Sequence, residues 1–399
     1  MRTGDLSAGN LQNSFLTGFQ ILPSVPPYSV VPDVPLFRDH IDRFNKLFAL
    51  YIKMKGTNMY SNISCEKMVV DAAKVPSSSK DLFVVESTSI KRFDMDNANG
   101  IKTGLEKVDA ALDKFYCGSL NLITGIPGSG KTSFISILAA QAVEQGFPVL
   151  IYSGELAIPM LNNWILSVQA GQANMAQQTR NNRVSYIIKE EAIAQINDFY
   201  KRKLFFYDMP QGATWETLLA TIENSVKRYG IKCCFIDSLT TVRINQGAER
   251  KKEEKEFIVQ CKKLAQKMDI ILFLSIHPNK MDRVRPVEII DIGSNAGYTS
   301  PADRIISLYR VRDEDREINF SKRNCDPVNC DVQLRILKDR FGSAAGAVVP
   351  LFFDSVSRRF FDNPKTLAFR YLWDHEKHPN SLPFFDISRY RELVNLGYS

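Results

Sequence analysis

The chain has 399 residues, which at about 100–200 residues per domain allows two or three domains and a substantial core, so peptide and disulfide-stapled scaffolds are excluded. With 44% hydrophobic and 24% charged residues it has the composition of an ordinary globular protein, neither disordered nor fibrous. The 51 Lys+Arg against 44 Asp+Glu leave a net charge of +7, a mild basic excess that suits a polyanionic partner without identifying one.

The opening stretch, MRTGDLSAGNLQNSF, has neither an apolar signal core nor the Arg-rich character of an organelle transit segment, so the expectation is no presequence or one already removed. Five prolines between Pro23 and Pro35 predict an extended arm, and Phe37, Ile41, Phe44, Leu47, Phe48 and Tyr51 then recur at helical spacing. Residues 1–75 therefore read as an arm with a small helical element. Pro76, the run Ser77–Ser79 and the polar stretch Asp94–Gly100 mark 76–100 as a linker.

From Ile101 the pattern changes to short β-rich runs alternating with helical segments: Leu120–Thr124, Val149–Ser153, Lys203–Tyr207, Lys232–Ile236, Ile270–Ser275, Arg304–Tyr309 and Leu334–Leu337. Strands separated in this way predict a mainly parallel central sheet covered on both faces, an α/β domain over 101–361. The sign-alternating Glu249–Glu256 reads as the solvated start of a helix. Residues 362–399 form an aromatic-rich tail without a motif. The longest clear apolar run, Ile270–Ile276, is about seven residues, far below the ~20 needed to cross a bilayer. Seven cysteines without a C-x-x-C pair argue against a zinc ribbon, and Cys233 and Cys234 inside a strand read as free thiols in a reducing, intracellular setting.

The sharpest local signal is Gly125-Ile-Pro-Gly-Ser-Gly-Lys131-Thr132, a full G-x-x-x-x-G-K-[ST] match between a strand and a helix. Gly125, Pro127, Gly128, Ser129, Gly130 and Ser133 belong to a loop whose backbone N–H groups curl around phosphate at a helix N-terminus. Lys131 is expected to reach the β- and γ-phosphates and Thr132 to ligate Mg²⁺, while Gly146 ends the helix. The strand Cys233–Ile236 closes on Asp237, suited to hold the magnesium-bound water, and Val149–Ser153 leads to Glu155, a general-base candidate at the same ligand-binding edge. Read alone, Asp237 is an ordinary strand-to-loop exit and Glu155 a solvated acidic residue. His277 leaves Ile270–Ser275 at that edge as a possible γ-phosphate sensor, its ordinary reading being a packing histidine. Lys338-Asp339-Arg340 reads either as an exposed basic hairpin turn or as an arginine acting on a phosphoryl group across a subunit boundary.

The ordered series TGLEKVDAAL, LITGIPGSGKTSF, YSGELAIPMLNNWIL, CCFIDSLTTV, LSIHPNK, DIGSNAGYTSPADRIISLYR and LRILKDRFGSAAGAVVPLFFD resembles the RecA-like motor domain of the DnaB superfamily of replicative helicases, in particular its Twinkle-type and phage primase-helicase branch. The resemblance implies a ring, usually hexameric, that hydrolyses ATP or another NTP with Mg²⁺ and moves 5′ to 3′ on single-stranded DNA to unwind a forked duplex. It implies phosphate and metal roles for Lys131, Thr132 and Asp237, a catalytic base at Glu155, a sensor at His277 and a finger at Arg340 with Lys338 beside it. It further implies stacking of the base between Arg310 and Phe353. DNA contacts fall on Lys280, Arg283 and Arg285, three cations in six residues that suit phosphate tracking, and on the second channel loop Gly293-Ser294-Asn295. A solvated basic loop is the ordinary reading of the first segment. A replisome polymerase and a single-strand-binding protein are implied partners, and no membrane insertion is expected. With about 100 residues ahead of the motor and no cysteine pairs there, no primase activity is expected. Asp81–Phe93 would be the segment that docks on the adjacent protomer.

Three functional classes stay open at this point: the helicase, a recombinase-like or regulatory DNA-binding ATPase without unwinding, and a nucleotide-binding ring subunit with little hydrolysis. The compartment is equally open between a mitochondrial matrix nucleoid and a phage-encoded protein in a host cytoplasm.

Overall fold

A computed structural model describes residues 87–90, 92–208, 214–244, 249–293, 297–316 and 329–375. The chain divides into two compact units, 1–91 and 92–399. Of the first, only a short 3-10 turn, Ser87–Ser89, and its following residue are described. The arm and helical element expected over 1–75, and most of the proposed docking segment, lie outside the described residues.

In the second unit the elements follow in the order β1 (Gly100–Ile101), α1 (Glu106–Leu112), β2 (Phe115–Tyr116), β3 (Leu120–Thr124), α2 (Lys131–Glu144), β4 (Val149–Ser153) and α3 (Ile158–Ala170). A hairpin, β5 (Met175–Arg180) and β6 (Arg183–Ile188), precedes α4 (Glu190–Tyr200), β7 (Leu204–Phe206), α5 (Trp215–Tyr229), β8 (Cys233–Asp237), α6 (Arg250–Met268) and β9 (Ile271–Ile276). The chain continues through β10 (Arg304–Arg310), β11 (Val332–Asp339), β12 (Val348–Asp354), β13 (Arg359–Phe361), α7 (Pro364–Ala368) and α8 (Leu372–His375). Nine strands form one sheet in the order β13-β12-β11-β10-β3-β9-β8-β4-β7. The six from β10 to β7 are parallel, whereas β11, β12 and β13 are antiparallel additions.

The predicted strands fall within a residue or two of the observed ones at nearly every boundary, because a parallel strand covered on both faces must be apolar throughout. β3, β8 and β9 are buried at every position. Alternate residues feed two cores: Ile123, Ile151, Phe235 and Phe273 pack under α2 and α3, while Leu122, Leu150, Cys234 and Leu272 pack against α5 and α6. α6 begins with the Arg250–Glu254 ion pair at 2.8 Å and turns inward only from Phe257, as its charge pattern predicts. Gly146, at φ +82°, closes α2 one residue beyond its cap, with Phe147 N–H donating to Ala142 O and Gly146 N–H to Val143 O in a Schellman arrangement. Among the described residues no helix is long and apolar enough to cross a membrane.

The last three strands depart from the expected parallel pattern. β12 mixes buried and half-exposed positions at the sheet margin, where the apolar signal weakens, and β13 has only three residues, too few to show a period. Packing also continues past Phe361: buried Arg359 donates to Val168 O, Leu367 O and Phe369 O, and Leu367 and Tyr371 are buried against the sheet's flank.

Candidate active site

The phosphate loop occupies the turn from β3 to α2. Gly130, at φ +97°, sits immediately before the helix, and a Cβ there would lie 2.8 Å from the Phe360 ring. Gly125 is as restricted, since a Cβ would collide with Ser129 Oγ and with Leu308 O. Both glycines are therefore required by close approach as well as by conformation. Lys131 is buried and donates to Gly125 O at 2.8 Å and Ile126 O at 3.3 Å, which folds its ammonium over the loop. Burial lowers its pKa, against the opposing pull of the Glu155 and Asp237 carboxylates.

Strand register brings the acids to the same place. Ser153 pairs with Asp237, and Thr124 pairs with both Ile276 and Ser307, so the ends of β4, β8, β3, β9 and β10 form one edge. Thr132 Oγ1 donates to Asp237 Oδ2 at 2.9 Å. Asp237 is fully buried, and its Oδ1 makes no hydrogen bond of normal geometry among the described residues. Burial raises this carboxyl above the ordinary aspartate value, the Glu155 charge adding to the effect and the Thr132 hydroxyl opposing it. Glu155 Oε1 lies 2.7 Å from His277 Nε2 and accepts from the Ser238 hydroxyl. Desolvation pushes Glu155 upward, but the hydrogen bonds from Ser238 and His277 and the charges of His277 and Lys131 outweigh it and hold the carboxyl below the usual glutamate range. A hydroxyl–carboxylate pair with a spare buried oxygen is the hard-oxygen donor set that suits Mg²⁺.

An open cleft of about 890 Å³ adjoins the loop, lined by Gly128, Gly130 and Ser133 together with Arg310 and Phe353. The structure thus brings the two residues expected to hold the base to the phosphate loop, Phe353 resting beside Phe360 with ring centroids 5.3 Å apart. A second cleft, of about 580 Å³, is shared by Ile126, Pro127, His277 and the basic segment from Lys280 to Val284. Lys280 and Arg283 are exposed there. Arg285 is committed elsewhere: both of its terminal nitrogens donate to Asp291, each at 2.7 Å, so it pins the loop to the following turn. Gly293 has φ +69°, and Ser294 and Asn295 lie outside the described residues.

Lys338 and Arg340 stand apart from this constellation. β11 runs antiparallel to β10 with Asp339 opposite Arg304, and Arg304 is opposite Asn121, so the Lys338–Arg340 turn lies at the far edge of the sheet from the phosphate loop. The run of β3 from Asn121 to Thr124 separates those edges, roughly 10 Å at about 3.3 Å per residue. Arg340, half-exposed, donates to Ser300 O at 2.5 Å and approaches Asp303 at 3.4 Å; Lys338 donates to Thr299 O at 2.8 Å. Burial and the Arg340 charge lower the Lys338 pKa, with Asp303 opposing. Lys338 and Asp339 close β11 and the Asp339 side chain is buried, so only Arg340 begins the connection that leads from β11 to β12.

Residues 100–362 match the model of the DnaB-like helicase C-terminal domain. The chain belongs to this family. It is 28% identical over 239 residues to the replicative DNA helicase DnaB of Helicobacter pylori, covering 56% of this chain and 47% of that protein. It is 25% identical over 281 residues to the chloroplastic/mitochondrial Twinkle homolog of Arabidopsis thaliana, covering 67% of this chain and 37% of that one. The chain thus spans about half the length, or less, of these curated relatives. Among solved structures, a DnaB-like replicative helicase described with its primase interactions superposes with a TM-score of 0.53 at 17% identity, covering 79% of this chain and 71% of that one. This likeness shows the RecA-like fold.

Three residues at or beside the cleft escape sequence reasoning. Ser238 follows Asp237 directly, and only the fold shows that its hydroxyl serves Glu155. Arg358 and Trp164 carry no motif, yet Arg358 lines the cleft beside the phosphate loop and its guanidinium lies over the Trp164 ring on α3.

Proposed function

We propose that the chain is the motor of a ring-forming replicative DNA helicase that couples NTP hydrolysis to 5′-3′ movement on single-stranded DNA and to duplex unwinding. The observation that carries this reading is the division of the chemistry between two edges: Lys131, Thr132, Asp237, Glu155 and His277 converge at one, while Arg340 and Lys338 stand at the other. A complete site then needs the finger edge of a second copy, which is what a ring provides.

Within one protomer, Lys131 and the loop N–H groups bind the phosphates and Arg310 with Phe353 holds the base. Thr132 and Asp237 hold Mg²⁺, which when bound neutralises phosphate charge. Glu155, ionised and held by Ser238 and His277, takes the proton of the attacking water. His277 lies at the start of the segment bearing Lys280 and Arg283, so a DNA phosphate on those cations bears on the hydrogen bond that orients Glu155. Arg340 of one protomer stabilises the transferring phosphoryl of the next.

The deciding measurement is the ATPase rate with and without single-stranded DNA, on wild type and Arg340→Ala, across concentrations spanning assembly. DNA-stimulated, concentration-dependent turnover that collapses in the variant is the expected result. Turnover indifferent to DNA and to Arg340 would retire the helicase reading in favour of a solitary ATPase, and filaments on DNA without tailed-duplex unwinding would favour the recombinase-like one.

A further inference from the structure

Arg358 combines three features that packing alone does not explain. It occupies the left-handed region at φ +59°, in the turn between β12 and β13, where glycine is the relaxed choice. Its guanidinium lies 3.6 Å from the centroid of the Trp164 ring. Its Nε is buried and makes no hydrogen bond among the described residues. No acidic side chain among them offsets the charge either; burial alone lowers its pKa. The neighbouring Arg359 shows what a structural arginine does in this fold, since it is buried and spends its donors on Val168 O, Leu367 O and Phe369 O. Arg358 is different. Among the described residues it is a cation without a counter-ion, fixed against an indole, in a strained backbone.

The same residue lines the cleft formed by Gly128, Gly130 and Ser133 on the phosphate-loop side and by Phe353 and Phe360 on the other elements. A guanidinium stacked on Trp164 has one face covered and its N–H edges directed by the stack, a preorganised anion donor of the kind an unfixed lysine cannot supply. Strain retained at such a position is expected where the conformation serves a ligand. Ser133, the residue after Lys131-Thr132, stands at the first turn of α2, beyond the part of the loop that Lys131 covers. In a nucleotide whose distal phosphates lie under Lys131, the phosphate reaching that point of the cleft would be the one nearest the nucleoside.

We propose that Arg358, stacked on Trp164, binds the nucleoside-proximal phosphate of the nucleotide. Arg358 is here a ligand-binding residue and Trp164 a positioning residue. The inference rests on the reading of the cleft as the NTP site and adds a contact that no motif announces.

The test uses the full chain with ATP, ADP and CTP, each measured by competition with an N-methylanthraniloyl-labelled ATP. Arg358→Gly relaxes the turn and removes the cation, so the nucleotide-free protein should melt no lower than wild type. Its affinity should fall about tenfold, by the same factor for ATP and ADP, because both retain that phosphate, and by the same factor for CTP, because the base is not the partner. Arg358→Lys keeps charge but not the stack and should recover only part of the affinity. Trp164→Leu should weaken binding in the same base-independent way, an effect that filling space alone would not produce. Lys131→Ala serves as the control. If Arg358→Gly binds all three nucleotides like wild type while Lys131→Ala does not, the proposal fails and the phosphate-loop reading stands. A loss for ATP but not ADP, or for one base and not the other, overturns the assignment to the proximal phosphate. If the wild type binds none of the three, the reading of the cleft itself fails.

Discussion

Glu155 and Asp237 are carboxylates at one sheet edge, yet their surroundings move them in opposite directions. Ser238, His277 and Lys131 hold Glu155 ionised, so it is ready to accept a proton at neutral pH. Glu155→Gln should therefore abolish turnover in a steady-state ATPase assay while leaving nucleotide-dependent assembly intact by light scattering. Asp237 has a raised pKa from burial and the Glu155 charge. A proton thus competes with Mg²⁺ for its carboxylate from a pH above the ordinary aspartate value of about 3.9. Titrating Mg²⁺ in the presence of nucleotide should show apparent affinity weakening as pH falls, and Asp237→Asn should remove most of both the affinity and its pH dependence. The sign for stability is the reverse: with a raised folded-state pKa, the nucleotide-free protein gains from protonating Asp237 as pH drops through that value.

At the scale of elements, the turn that carries Arg340 is anchored by an interaction the strands themselves create. Arg304 and Asp339 form a 2.9 Å ion pair whose side chains are each only 1% exposed, and Arg304 also donates to Lys114 O and Leu112 O. One residue of β10 therefore fastens α1 and the turn after it to the strand that ends at Asp339, just before Arg340. Breaking a buried pair from one side leaves an uncompensated charge, so Asp339→Ala should destabilise by about 3–5 kcal/mol in a denaturant melt. Turnover should fall with it, since Arg340 loses its footing. In the phosphate loop, Gly130→Ala places a Cβ against the Phe360 ring and forces a non-glycine residue to φ +97°. The expected outcome is loss of nucleotide binding by competition titration together with a lower melting temperature, because the clash falls on Phe360, a buried residue of the core beneath the loop.

For the whole molecule, the separation of the two edges predicts complementation in trans. Lys131→Ala and Arg340→Ala should each be inactive alone. Mixed in equal amounts and reassembled, they should regain a fraction of wild-type ATPase, because an intact loop on one protomer can meet an intact finger on its neighbour. No recovery at any mixing ratio would count against a shared site. The same separation explains why so little of the site near Arg340 looks catalytic within one chain: its partners here are Ser300 O and Asp303, which hold the turn in shape.

Local pattern is enough for the parallel strands, for the Gly-rich turn between β3 and α2, and for the strand exits that carry Glu155 and Asp237. Continuous apolar runs such as Cys233–Ile236 permit little else than a strand covered on both faces, and a Gly-rich turn between such a strand and a helix has one efficient use. Register and chain-distant neighbours govern the rest. β12 lies at a sheet margin where partial exposure erases the alternation that periodicity reads, β13 is too short to carry one, and their antiparallel pairing is what brings Phe353 and Arg358 to the cleft. By local sequence Arg285 is one more cation of a basic loop; the fold sets Asp291 2.7 Å from it. Local sequence carries the period of an element and the chemistry of a loop; which charge meets which partner is settled only when strands far apart in the chain are paired.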